Sequence, residues 1–109
     1  MHELGITRSV VAICSERAAG AQVKRVTLEI GQLSAVLPAS VRFCFDICAK
    51  GTPLEGSVLE IVEIPGTAVC RDCDGEVRLS QLFGRCACGG SNLRLVSGEE
   101  LKIKEMEVV

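Results

Sequence analysis

The chain has 109 residues, of which 48% are hydrophobic, 24% charged and 3% aromatic, and its formal net charge is −2. This balance excludes an intrinsically disordered chain, and mild acidity without Trp or Tyr argues against a nucleic-acid-binding surface. No apolar run approaches the roughly 18 residues of a membrane span, and no signal-peptide pattern is visible. We therefore expect a cytoplasmic protein that binds neither nucleic acid nor membrane.

The first half of the chain predicts a helix, a strand and a second helix. Residues 4–19 carry apolar side chains at a helical period. Residues 23–32 alternate apolar and polar side chains, as a half-buried strand does. Pro38 suits the first turn of a second helix, which Lys50 and Gly51 would end. The expected buried positions are Ile6, Val10, Ile13 and Cys14, then Val26, Leu28 and Ile30, then Val41, Cys44, Phe45 and Cys48.

The second half predicts strands on either side of a cysteine-rich insert. Residues 57–64 are mostly apolar, which predicts a strand buried on both faces, and residues 93–96 suggest a short strand. The last strand, 100–109, changes apolar phase between Ile103 and Met106, which predicts a bulge or a change of covering partner. The fold class expected is α+β, with two helices packed on a three-stranded sheet and an inserted four-cysteine zinc-ribbon-like domain. The predicted domain boundaries are 1–66 plus 94–109 for the α+β domain and 67–93 for the insert.

Four of the seven cysteines lie in the insert, as a C-x-x-C pair and a C-x-C pair separated by twelve residues. Two such knuckles can place four thiolates tetrahedrally around Zn²⁺, and zinc binding would help to fold a segment with little apolar bulk. The alternatives are a redox dithiol, as in a thiol oxidoreductase acting at Cys70 and Cys73, or thiols without a shared role. The predicted zinc ligands are Cys70, Cys73, Cys86 and Cys88.

The remaining cysteines, Cys14, Cys44 and Cys48, fall on or beside the apolar stripes of the two helices. They are expected to be small buried hydrophobic residues. The i, i+4 pair Cys44 and Cys48 could also bind a metal, which remains an alternative.

The single histidine of the chain lies at its second position, in the opening sequence MHEL. The α-amine of Met1, the backbone nitrogens of His2 and Glu3, and the His2 imidazole can together offer four nitrogen donors to one ion. Ni(II) and Cu(II) favour such a donor set, whereas tetrahedral zinc does not. Glu3 could bind the ion, hydrogen-bond the His2 ring, or act only as an acid in the first helical turn. An idle terminal histidine remains the competing interpretation.

Taken together, MHE at residues 1–3, the two cysteine pairs, FCFD at 43–46 and the tail SGEELKIKEMEV at 97–108 resemble the HypA/HybF family. These are nickel-delivery proteins of [NiFe]-hydrogenase maturation. The resemblance implies that the α+β domain, 1–66 plus 94–109, is a nickel-binding domain and that the insert is a zinc-binding domain. It implies further that His2 is essential for nickel, that Glu3 contributes, and that the four cysteines hold zinc. It also implies a HypB-type GTPase and the [NiFe]-hydrogenase large subunit as partners, and in some organisms urease and its accessory proteins. The family usually has C-x-x-C in its second pair, and this chain departs from that pattern with C-x-C.

The expected function is therefore a nickel metallochaperone with transiently bound nickel(II) and structural zinc, not an enzyme. The chain shows no nucleophile–base pair and no nucleotide-binding glycine motif, which agrees with that expectation. The alternative function is a zinc-ribbon adaptor that docks proteins or nucleic acid, with MHE incidental.

Overall fold

The computed structural model describes residues 2–109. The elements are α1 (His2–Ala18), β1 (Val23–Gly31), α2 (Pro38–Ala49), β2 (Val58–Ile64), β3 (Gly66–Cys70), β4 (Glu76–Leu79), β5 (Leu93–Ser97) and β6 (Leu101–Val108). The strands form two three-stranded sheets, with the orders β2-β1-β6 and β4-β3-β5. The predicted α+β class, with two helices, a three-stranded sheet and an inserted cysteine module, is confirmed. Within residues 2–109, neither helix combines the length and the apolar character that a membrane span requires.

Helix α1 buries a stripe that differs from the predicted one. The buried positions include Thr7, and Ile13 is 41% exposed, so the prediction that Ile13 is buried is wrong. At 3.6 residues per turn, Ile13 lies roughly 120° around the helix from the centre of the stripe. Gly20, at φ 91°, takes the left-handed conformation that a glycine after the last turn of a helix favours. The buried residues are Thr7, Val10, Val11, Cys14 and Ala18.

Helix α2 begins at Pro38 as predicted, and its N-cap residue Leu37 makes no side-chain capping bond. Three of its four predicted core residues are buried, whereas Cys48 is only partly covered. Phe43 and Ile47, which are 74% and 57% exposed, lie on the opposite face. The helix therefore has one apolar face in the core and a second that faces solvent. The buried residues are Val41, Cys44, Phe45 and Ala49.

The first sheet has β1 in its centre, and the predicted burial of Val26, Leu28 and Ile30 is confirmed. Thr27, predicted to alternate outward, is also buried. Arg25 bridges this face of the sheet, with ion pairs to Glu60 of β2 and Glu107 of β6.

The edge strands of the first sheet are more exposed than the central one. Val58 and Val62 of β2 are 52% and 37% exposed, so the prediction that this strand is buried on both faces is wrong. Its position at an edge of the sheet gives it one strand neighbour instead of two. In β6 the partly buried residues are Ile103 and Met106. They are three residues apart, a spacing that places two side chains on opposite faces of a regular strand.

The second sheet is built on β3, which pairs antiparallel with β4 on one side and β5 on the other. The β3–β4 hairpin aligns Ala68 with Val77, and β5 aligns Leu95 with the same Ala68. The register with β5 shifts between Thr67 and Ala68, where the Thr67 and Ser97 hydroxyls lie 2.7 Å apart. These strands enclose a small core of Leu33, Ala68, Cys70, Val77 and Leu79.

The chain divides into two compact units. The first comprises residues up to Glu29, Val36–Val62 and Lys102–Val109, and the second comprises Ile30–Ala35 and Glu63–Leu101. The second unit thus contains all of the segment 67–93 and extends beyond it, because residues 30–35 and both flanks contribute to it.

Candidate metal centres

The four cysteines of the insert come together in the second unit. Their sulfur atoms all lie within 4.8 Å of one another. Cys70 is fully buried at the end of β3, Cys86 is partly covered, and Cys73 and Cys88 are exposed. Among residues 2–109 this is the one group of three or more His, Cys, Asp or Glu side chains that could hold a metal ion.

The first knuckle is the turn between β3 and β4. The N–H of Asp74 donates to the carbonyl of Cys70 at 2.7 Å, and Asp74 has a φ of 61°. The N–H of Gly75 then points at the Cys73 sulfur at 3.4 Å. A left-handed residue next to a glycine lets the chain reverse and aim an amide at the thiolate position.

The second knuckle is one residue shorter but makes the same kind of contact. The N–H of Gly89 donates to the carbonyl of Cys86 at 2.9 Å, and the N–H of Gly90 points at the Cys88 sulfur at 3.4 Å. The backbone bond from Arg71 N–H to Asn92 oxygen, at 2.9 Å, ties the segment after this knuckle to the first one. The C-x-C spacing therefore still directs a glycine amide to the second sulfur of the pair.

The donor set fits a tetrahedral thiolate-bound metal. Two sulfur–sulfur distances across the knuckles are short, with Cys70 to Cys88 at 3.7 Å and Cys73 to Cys86 at 3.5 Å. With Zn–S bonds of about 2.3 Å, the edge of a regular tetrahedron is about 3.8 Å. The observed spacings are close to that edge, so the sulfurs could accept such an ion with little rearrangement.

The ionisation of Cys73 and Cys86 depends on the neighbouring thiols, because these thiols share hydrogen bonds. The N–H of Gly75 lowers the pKa of Cys73, but donation to the neighbouring thiols outweighs this and raises it to about 12. The N–H of Cys88, followed by hydrogen bonds from the Cys73 and Cys88 thiols, lowers the pKa of Cys86 to about 7. Four thiolates this close repel one another, and a bound dication would relieve that repulsion.

The second candidate centre is the amino-terminal end of α1, in the first unit. The His2 side chain is 65% exposed, and its Nε2 lies 3.5 Å from Oε2 of Glu3. The Glu3 side chain is only 18% exposed. Met1, the third predicted contributor to a nickel site, lies outside the described residues. The structure thus brings two of the three predicted nickel residues together at an open position.

Glu3 is held by contacts that sequence reasoning missed. The N–H of Leu37 donates to Glu3 Oε2 at 3.4 Å, and the Thr7 hydroxyl donates to the Glu3 carbonyl oxygen at 2.6 Å. The Thr7 contact has a sequence signal, a threonine four residues after the acid, whereas the Leu37 contact has none. Its own backbone N–H, with further help from Leu37 and the His2 ring, lowers the pKa of the Glu3 carboxyl against the opposing effect of desolvation. The carboxylate is therefore ionised and oriented beside His2.

The other cysteines do not form a comparable group. Cys14 and Cys44 are buried and Cys48 is partly covered. Within the described residues, the alternative metal pair Cys44 and Cys48 gathers no third side chain of a ligating type. All seven cysteines are free thiols.

Comparison with known proteins adds to this geometry. Residues 1–108 match the family model described as "Hydrogenase/urease nickel incorporation, metallochaperone, hypA". The chain is 62% identical over 108 residues to "Hydrogenase maturation factor HypA" of Trichormus variabilis, covering 99% of this chain and 96% of the relative.

Two solved structures share the fold. One is the solution structure of the Ni metallochaperone HypA from Helicobacter pylori, with a TM-score of 0.66 and 25% identity, covering 98% of this chain and 97% of that one. Another HypA solution structure has a TM-score of 0.72 at 24% identity, covering 100% and 97%. The matched family is described as one of metallochaperones for nickel incorporation, which is not an enzymatic role. The predicted resemblance is thereby confirmed: the chain belongs to the HypA family of nickel metallochaperones and hydrogenase maturation factors, and it is not an enzyme.

Proposed function

We propose that this protein binds Ni(II) transiently at its amino terminus and delivers it for maturation of [NiFe]-hydrogenase, while a structural zinc holds the second unit together. The observation that supports this most is the pair of contrasting donor sets. An exposed imidazole beside an oriented carboxylate lies in one unit, and four clustered thiols lie in the other. Thiolates favour zinc and nitrogen donors favour Ni(II), so the two metals would be kept on different sites.

The proposed nickel ligands are His2, Glu3 and the α-amine of Met1, with the backbone nitrogens of His2 and Glu3. The first N–H groups of a helix have no intrahelical acceptor, so these nitrogens are free of helical bonds. Because His2 is 65% exposed, a recipient protein could reach the ion without opening the fold. An open site suits a cargo that must be released.

The proposed zinc ligands are Cys70, Cys73, Cys86 and Cys88. The second unit has a core of five buried residues, one of which is Cys70 itself. A core this small gains substantially from a metal that crosslinks both knuckles. Zinc would accordingly be permanent and architectural.

We further propose that the partners are a HypB-type GTPase and the large subunit of [NiFe]-hydrogenase, and that the protein works in the cytoplasm. The curated relative is named a hydrogenase maturation factor, which supports the hydrogenase as recipient. The description of the family model also mentions urease, so urease maturation is a second candidate destination. Seven free thiols suit a reducing compartment.

Metal quantitation on protein with its native terminus tests the nickel assignment. We expect one zinc as purified and one added nickel, with nickel binding lost in His2→Ala and weakened by one extra residue before Met1. Arg8→Ala, an exposed change on the same helix, is the matched control and should bind nickel normally. Unchanged nickel binding by His2→Ala would refute the proposed nickel site. If the wild-type protein binds no nickel and nucleic acid is recovered with it, the adaptor alternative would be favoured.

The zinc assignment is tested by Cys73→Ser and Cys88→Ser, since both residues are exposed and their loss leaves no cavity in the core. Both variants should lose tightly bound zinc, whereas Cys48→Ser should retain it. Full zinc content in either cluster variant would show that the four thiols do not act together.

A further inference from the structure

The buried hydroxyl of Thr7 makes a contact that the proposed function leaves unused. Thr7 is 1% exposed, and its Oγ1 donates to the carbonyl oxygen of Glu3 at 2.6 Å, one turn back along α1. The other buried threonine, Thr27, has no partner for its hydroxyl within the described residues. Of the two buried threonines, Thr7 thus has a hydrogen-bond partner for its hydroxyl within the described residues and Thr27 has none.

Glu3 is consequently fixed from two directions. Its carbonyl oxygen is held by Thr7 in the core-facing stripe of α1, and its carboxylate is held by the N–H of Leu37 at the start of α2. His2, the preceding residue, has its imidazole 65% exposed and lies 3.5 Å from the Glu3 carboxylate. Glu3, whose position is fixed, thus directly follows His2, the exposed proposed ligand at the amino-terminal end of α1.

We propose that Thr7 is a positioning residue for nickel binding and that it acts through the backbone of Glu3. This inference rests on the proposed nickel site. If the nitrogens of His2 and Glu3 bind one ion, they close a five-membered ring that is nearly flat. Flattening moves ψ of His2 toward zero, away from the helical value of about −42°, and so takes His2 out of the helix. A helix that loses its first residue tends to fray further.

The Thr7 hydroxyl stops that fraying at Glu3. With the Glu3 carbonyl anchored, the Glu3 nitrogen keeps its direction while His2 rearranges around the ion. Without the anchor, binding must also order the loosened turn, which lowers the affinity. A hydrogen bond of ordinary net strength corresponds to roughly a fivefold change in an equilibrium constant.

The test is nickel titration of native-terminus protein, followed by absorption of the bound Ni(II), for the wild type and four variants. Thr7→Val keeps the volume and removes the hydroxyl, Thr7→Ser restores a hydroxyl, and Thr27→Val is the matched control that removes a hydroxyl without a partner. We expect Thr7→Val to bind nickel about fivefold more weakly with a shifted absorption band. Thr7→Ser and Thr27→Val should match the wild type. The fourth variant, His2→Ala, should lose binding.

The outcomes separate the inference from the proposal on which it rests. If His2→Ala abolishes binding but Thr7→Val matches Thr27→Val in affinity and spectrum, the role of Thr7 is overturned and the nickel site stands. If His2→Ala binds like the wild type, both are overturned. Hydrogen exchange on the wild type provides a measurement independent of the variants. The amide of Thr7 should remain protected after nickel loading, and loss of that protection would contradict the anchor.

Discussion

Replacing Gly31 with alanine should destabilise the second unit strongly, because the new methyl group would meet backbone and not a flexible side chain. An ideal Cβ at Gly31 would overlap the carbonyl of Gly98 and lie 2.7 Å from the nitrogen of Glu100. Two hydrogen bonds join these segments, from Gly31 N–H to Glu100 oxygen and from Leu33 N–H to Gly98 oxygen, both at 2.7 Å. Separating the segments enough to admit the methyl group would stretch both bonds.

The expected loss follows from these contacts. Overpacking a well-filled site costs about 1–3 kcal/mol, and each weakened hydrogen bond about 1 kcal/mol, so the total is about 3–5 kcal/mol. For a domain of this size, that lowers the melting temperature by more than about 10 °C. Because Gly31 does not have a positive φ, the loss would be steric and not conformational.

The assay is thermal unfolding of zinc-loaded protein by circular dichroism, with zinc release to a coloured chelator recorded in parallel. Gly5→Ala is the matched control, since no atom outside its own helix lies within 4 Å of the added methyl group. It should stabilise α1 by about 0.5–1 kcal/mol, as alanine does in place of helical glycine. A Gly31→Ala protein that melts within about 2 °C of the wild type would show that the close approach to Gly98 is not part of the fold.

Three further predictions concern individual side chains. Burial raises the pKa of the Cys14 thiol, against the opposing charge of Arg17. Iodoacetamide at pH 8 should therefore label Cys14 more slowly than Cys48, which is only partly covered. Equal labelling rates, measured by peptide mass spectrometry, would contradict this. Leu37→Pro removes the N–H that donates to the ionised Glu3 carboxylate, so the pKa of that carboxyl, measured by NMR, should rise above the wild-type value. Leu37→Ala keeps the N–H and should leave this pKa unchanged. Phe45→Ala should lower the free energy of unfolding, measured by chemical denaturation, by about 3–5 kcal/mol, because Phe45 is only 3% exposed. Phe43→Ala should lower it by less than about 0.5 kcal/mol, because Phe43 is 74% exposed. Similar losses in the two variants would mean that the two faces of α2 are misassigned.

Local signals were enough to predict most elements and the group of residues at the cysteine cluster. Pro38 and Gly20 mark helix ends through backbone preferences that operate within a few residues. The cysteine spacing predicted that four thiols would meet, and the structure brings their sulfurs within 4.8 Å of one another. These patterns involve residues within one helical turn or one knuckle, so the sequence alone is enough to predict the structure that they form.

Burial was predicted less well wherever it depended on distant neighbours. Helical periodicity placed Ile13 in the core, but the stripe that α1 buries is centred on Thr7. An apolar composition suggested that β2 was covered on both faces, but an edge position leaves Val58 exposed. Period and composition show which faces can be buried, whereas the packing partners decide which of them are.

By itself, the sequence determined the helices, the central strand, the cysteine knuckles and the position of the one imidazole beside an acid. Only the tertiary structure decided that Leu33, which lies far before the insert in the chain, completes the small core around Cys70. It also decided that the backbone of Leu37 orients Glu3. Both contacts join segments far apart in the chain, and closing such long loops costs entropy that only the packing of the whole fold offsets. No local pattern of side chains or spacing therefore predicts them.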